Sequence, residues 1–144
     1  MECGEINVQL PLCFDAVGDC LVDIFGISKA AIYDQDEYWT LPSKPPEPHI
    51  SVRLNLTGED QFASFITLDC YPYMTKSILH VGSEFQKKFN CIVAVPWQVP
   101  ERPSDIPWDG SLAVFYPDGR KFSAYSDESS NGYRLAHLKE VEEF

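Results

Sequence analysis

Two proline-rich segments divide this chain and limit what each part of it can form. Four of the eleven prolines fall within residues 42–48, and four more lie between residues 96 and 108. Proline has a fixed φ and no backbone N–H, so neither segment can form the interior of a helix or an inner strand. We therefore expect surface loops at about 42–48 and 96–108, with helices and strands on either side of them.

The most regular patterns in the chain are those of two β-hairpins. Apolar and polar residues alternate over residues 50–56, the period of a strand with one buried face, and a turn sequence separates them from a β-rich run at residues 62–70. Residues 111–116 and 120–125 form a similar pair around residues 117–119, Pro-Asp-Gly, in which glycine supplies the positive φ of a tight turn. Each pair predicts two antiparallel strands.

The first helix is predicted over residues 14–25. Its apolar residues recur every three or four positions, as on one face of a helix, and Asp15 occupies the expected N-cap position. Gly18 costs about 1 kcal/mol relative to alanine inside a helix, and β-branched residues follow it. A strand over residues 20–25 is therefore the alternative.

Two further helices are predicted in the second half of the chain. Residues 75–89 have an apolar side, and the lysines near their end suit the negative pole of a helix that Asn90 can terminate. Residues 132–143 place apolar side chains three positions apart, which predicts a terminal helix. These side chains are Leu135, Leu138 and Val141.

The remaining ordered segments have the patterns of strands. Residues 5–12 alternate, residues 30–33 form a short apolar run, and residues 91–95 form a continuous apolar run typical of a central strand buried on both faces. A chain of 144 residues has the commonest size of one domain. The sequence therefore predicts a single α+β domain over residues 1–144, with a mixed, mostly antiparallel sheet built from hairpins and two or three packed helices.

Charge is the clearest compositional signal of function. The formal net charge is −11, and it is carried by the two ends: −7 in residues 1–48, zero in residues 49–100 and −4 in residues 101–144. Such a field repels nucleic acids and anionic lipids and attracts basic proteins. We expect a basic protein partner, no nucleic acid and no membrane. A contribution to solubility alone is the alternative meaning of the charge.

The cysteines and the N-terminus bear on the compartment. Five cysteines form an odd set without the close, regular spacing of a disulfide framework, which is typical of free thiols in a reducing environment. The first residues are acidic, and no apolar run has the length of a membrane span. These features predict a cytoplasmic protein.

No pattern in the sequence specifies a metal, a cofactor or a catalytic site. His49, His80 and His137 lack the i, i+4 spacing that places two metal ligands on one helix face, and the glycines form no phosphate-binding loop. Cys70 before the helix that carries His80 is the one arrangement that suggests a cysteine nucleophile with a histidine base. The alternative is a buried thiol and a surface imidazole. We predict no cofactor, no metal and no catalytic residue.

Large aromatic residues coincide with acidic residues in two predicted loops. Tryptophan and tyrosine dominate the energetics of protein interfaces, and surrounding carboxylates steer a basic partner towards them. For each tryptophan singly, capping of the core beneath a loop is the alternative. The predicted partner-binding residues are Asp34, Asp36, Glu37, Tyr38, Trp39, Trp108 and Asp109.

These features favour an inhibitor, because an inhibitor needs a rigid small domain, a charge opposite to that of its target and no chemistry of its own. The leading hypothesis is a small acidic protein of the immunity protein or antitoxin kind, which neutralises a basic toxin or enzyme by occluding its active or binding site. One alternative is a small-molecule-binding protein or enzyme with a cysteine-based site beneath the 96–108 loop. Another is an adaptor or subunit whose proline-rich loops or sheet edge dock into a larger assembly.

Overall fold

The computed structural model describes residues 4–57, 61–72, 76–97, 111–127 and 134–144. These residues form one mixed sheet of eight strands in the order β2-β3-β4-β1-β5-β6-β7-β8. The strands are β1 (Gly4–Val8), β2 (Ile32–Asp34), β3 (His49–Leu56), β4 (Ser64–Tyr71), β5 (Val93–Pro96), β6 (Ser111–Phe115), β7 (Lys121–Asp127) and β8 (Arg134–Val141). The helices in the same ranges are α1 (Phe14–Phe25), α2 (Gln35–Tyr38) and α3 (Ile78–Phe89), with a short 3-10 turn at Lys29–Ala31.

The sheet is mostly antiparallel, as predicted. Only β2 and β3 pair in parallel among the described strands. Both predicted hairpins are confirmed as β3–β4 and β6–β7, and Gly119 in the second turn has a φ of 89°. Strand β5 is the fifth of eight, and its residues Val93, Ala94 and Val95 have no exposed surface. The predicted α+β class and the central position of this strand are therefore confirmed.

Helix α1 is confirmed, but its N-cap is not the predicted residue. The helix begins at Phe14 with Cys13 at the N-cap, and the Cys13 side chain makes no capping hydrogen bond. Asp15 lies in the first turn, where its carboxylate pairs with Lys29 Nζ at 2.5 Å. The helix ends at Gly26, whose left-handed conformation (φ 66°) few other residues adopt at low cost.

Helix α3 is confirmed over a shorter range than predicted. The Ser77 side chain caps its start by accepting a hydrogen bond from the His80 backbone N–H at 3.1 Å. Asn90 ends it in the left-handed conformation, with a φ of 48°.

The first proline-rich segment, residues 42–48, forms neither helix nor strand, as predicted. The second begins later than predicted, because Pro96 is the last residue of the inner strand β5 and pairs with Leu112. Residues 98–108 lie outside the described residues.

The predicted terminal helix is wrong, because residues 134–141 form strand β8 against β7. Ala136 pairs with Tyr125 and Lys139 with Ser123, so two residues of β8 face the single residue Ala124 between them. This is a β-bulge, and it locally lengthens the strand repeat from two residues to three. His137, within the bulge, has a positive φ of 54°. The bulge therefore accounts for the three-residue spacing of Leu135 and Leu138, whereas the equal spacing of Leu138 and Val141 spans regular strand pairing.

Apolar side chains cover both faces of the sheet centre. Helices α1 and α3 lie on one face, where α3 contacts β1, β5 and β6 and packs against α1. Side chains alternate between faces along a strand, so the same strands also form a smaller cluster of buried apolar side chains on the opposite face. Its buried members are Phe62, Ala94, Leu112, Val114 and Ala124.

The close contact of α3 with the sheet depends on Gly82. A Cβ atom at this position would lie 2.8 Å from Val95 Cγ1 and 3.1 Å from Phe115 Cε2. We expect Gly82→Ala to lower the free energy of unfolding by about 1–3 kcal/mol through overpacking, as measured by urea denaturation.

Gly18 in α1 provides the matched control. A Cβ there would meet Lys29 Cε at 3.7 Å, an ordinary contact. Gly18→Ala should raise the free energy of unfolding by about 0.5–1 kcal/mol, because alanine is the better helix former. Equal effects of the two substitutions would contradict a special role for Gly82.

Candidate functional site

Five of the seven predicted partner-binding residues lie in one continuous segment at an edge of the sheet. Strand β2 is the edge strand, and its last residue, Asp34, leads directly into α2. The Asp34 carboxylate caps this helix by accepting a hydrogen bond from the Asp36 backbone N–H at 3.0 Å. At the other end, the Thr40 hydroxyl donates to the Glu37 carbonyl oxygen at 2.7 Å. Asp34 therefore stabilises the start of α2, and the residues that follow it include the exposed Asp36, Glu37 and Trp39.

Tyr38 fixes α2 to the sheet through an aromatic stack. Its ring stacks on His49 with centroids 5.5 Å apart, and His49 stacks on Tyr71 at 4.7 Å. His49 and Tyr71 are directly opposite residues on β3 and β4, so the hairpin register brings them together. Tyr33 of β2 meets both Tyr38 and His49 edge-on. We call Tyr33, Tyr38, His49 and Tyr71 the aromatic stack.

Both ring nitrogens of His49 take part in hydrogen bonds that hold the stack in register. His49 Nδ1 lies 3.2 Å from the Pro46 carbonyl oxygen, which can only accept, so Nδ1 is the donor. In the neutral ring Nε2 then accepts from the Tyr38 hydroxyl, also at 3.2 Å. Only 1% of His49 is exposed. One buried imidazole thus joins α2, the first proline-rich loop and the sheet.

The exposed residues of α2 and its C-cap include an indole and two carboxylates. Trp39, the C-cap residue, is 71% exposed, the largest value among the exposed large hydrophobic residues of the described chain. Tyr38 meets its ring edge-on at 5.7 Å. Asp36 and Glu37 are also exposed, and neither has an ion pair within the described residues. We call Asp36, Glu37 and Trp39 the α2 surface.

The acidic residues of α1, in contrast, form ion pairs. Asp15, Asp19 and Asp23 are spaced four residues apart and share one exposed helix face. Lys29 Nζ lies 2.5 Å from Asp15 and 2.9 Å from Asp19, and Lys88 Nζ lies 3.6 Å from Asp23. Each aspartate of this helix therefore has a lysine partner, whereas Asp36 and Glu37 have none among the described residues.

Sequence reasoning found the α2 surface but missed its support. Trp108 and Asp109, the other two predicted contact residues, lie outside the described residues. The sequence indicates a possible role for His49 only as a metal ligand, and it indicates none for Tyr71. The alternation in the β3–β4 hairpin was visible, but its register, which pairs His49 with Tyr71, depends on the turn between the strands.

The cysteines do not form a reactive site in the described structure. Cys70 on β4 is only 6% exposed and belongs to the core between the sheet and the helices, whereas His80 lies at the surface in the first turn of α3. A cleft of about 240 Å³ between α1 and α3 includes Cys20. Burial raises the pKa of the Cys20 thiol to about 12, so almost none of it is thiolate at neutral pH.

Searches for a metal site, for a membrane-spanning helix and for related proteins indicate no further candidate for a functional site. Within the described ranges, no group of three or more histidine, cysteine, aspartate or glutamate side chains is placed to hold a metal ion. None of the helices in the same ranges has the length and apolar character needed to cross a membrane. Comparisons with protein-family models, with curated proteins and with solved structures gave no match.

The hydrogen bond between Tyr38 and His49 can be tested by removing one hydroxyl. Tyr38→Phe leaves Nε2 of a buried imidazole without its donor, so we expect the free energy of unfolding to fall by about 1–3 kcal/mol. Tyr33→Phe is the matched control, because the Tyr33 hydroxyl makes no hydrogen bond within the described residues, and it should change the free energy by less than about 0.5 kcal/mol. Urea denaturation of both variants measures the difference. A loss of the same size in the two variants would show that the bond does not stabilise the fold.

The thiols should differ in reactivity according to burial. Of the four cysteines in the described ranges, only Cys13 is exposed, so iodoacetamide at neutral pH should label Cys13 well before Cys20, Cys70 or Cys91. Peptide mass spectrometry over a time course measures the four rates. Labelling of Cys70 ahead of Cys13 would contradict this order and favour a cysteine-based site.

Proposed function

We propose that this chain is a small acidic protein-binding inhibitor of the immunity protein or antitoxin kind, which neutralises a basic toxin or enzyme by occluding its active or binding site. The observation that carries the proposal is the α2 surface. Two carboxylates that form no ion pair with any described residue lie on a single turn of helix, and its C-cap residue is the most exposed large hydrophobic residue among those described.

Rigid support makes this surface suitable for tight binding. Association costs free energy whenever loops and side chains must be ordered at the interface, so a surface that is ordered beforehand loses less. Asp34 caps α2, and Tyr38 is held by stacking and by its hydrogen bond to His49. The backbone that carries Trp39 is therefore fixed before a partner arrives.

The charge distribution supports a basic partner. Carboxylates without internal partners contribute their full field to steering and need not break an existing ion pair on binding. Asp36 and Glu37 meet this condition as far as the described residues go, unlike the aspartates of α1. Tryptophan is enriched in interface hot spots, and carboxylates near it present charge complementary to a basic partner.

The test begins with affinity capture at low salt from cells that produce the protein, followed by a rising salt wash and mass spectrometry of the eluted proteins. Calorimetric titration of the captured protein then compares the wild type with the double variant Asp36→Lys/Glu37→Lys. We expect this variant to bind roughly tenfold more weakly or worse, with a flatter salt dependence, because it reverses charge at the proposed contact.

A second double variant separates local from global charge. Glu142→Lys/Glu143→Lys changes the total charge by the same amount, at two exposed residues that follow β8 at the opposite edge of the sheet. It should bind its partner with nearly wild-type affinity. Equal weakening by both variants would mean that only total charge matters, and unchanged affinity in the α2 variant would exclude this surface. Self-association without a basic partner would instead favour the adaptor hypothesis.

A further inference from the structure

We draw no further inference here: the strongest candidate, the buried Tyr125 hydroxyl on β7 beside the bulge of β8, has no hydrogen-bond partner among the described residues, but nothing in those residues shows what covers it.

Discussion

Burial of the sheet centre on both faces is the constraint on which the rest of the molecule depends. All the described side chains of β6 are buried, as are the first three residues of β5 and the last three of β1. One face is covered by α3, which approaches so closely that Gly82 has no room for a Cβ atom. Strands buried in this way have little surface left for recognition, and any binding function falls to the edges and their connections.

The α2 surface lies at such an edge, because α2 directly follows the edge strand β2. Strand β2 has three residues, too few to hold an edge in place by backbone pairing alone. Side chains compensate: the aromatic stack ties α2 to β3 and β4, and His49 adds a hydrogen bond to the proline-rich loop. A short edge element thereby acquires the rigidity of the sheet while its outer residues remain in water.

The sequence predicted those parts of the fold that are determined locally. Alternation defined the two hairpins, and the helical repeat defined α1 and α3, with Asn90 marking the end of α3, because these patterns depend on neighbours in the chain. Strand β8 was missed because its bulge is imposed by pairing with β7, and a single extra residue alters the apparent period.

The candidate site was likewise only partly predictable from the sequence. The coincidence of acids and aromatics at residues 34–39 was visible in the sequence, whereas the ion-pair status of each carboxylate was not. In sequence, Asp15, Asp19 and Asp23 are acidic residues like Asp36 and Glu37, and only the folded positions of Lys29 and Lys88 distinguish them. Likewise, the partnership of His49 with Tyr71 exists only through the strand register.

The bulge in β8 affects whether molecules of this protein can associate through the edge of the sheet. Strand β8 is an edge strand of eight residues, long enough to serve as a template on which another chain could add a strand. The left-handed residue His137 breaks the regular row of backbone donors and acceptors near its middle, and the charged side chain of Lys139 follows. An interrupted edge of this kind resists edge-to-edge growth, so the chain can keep a long strand at its margin with less risk of polymerising through it.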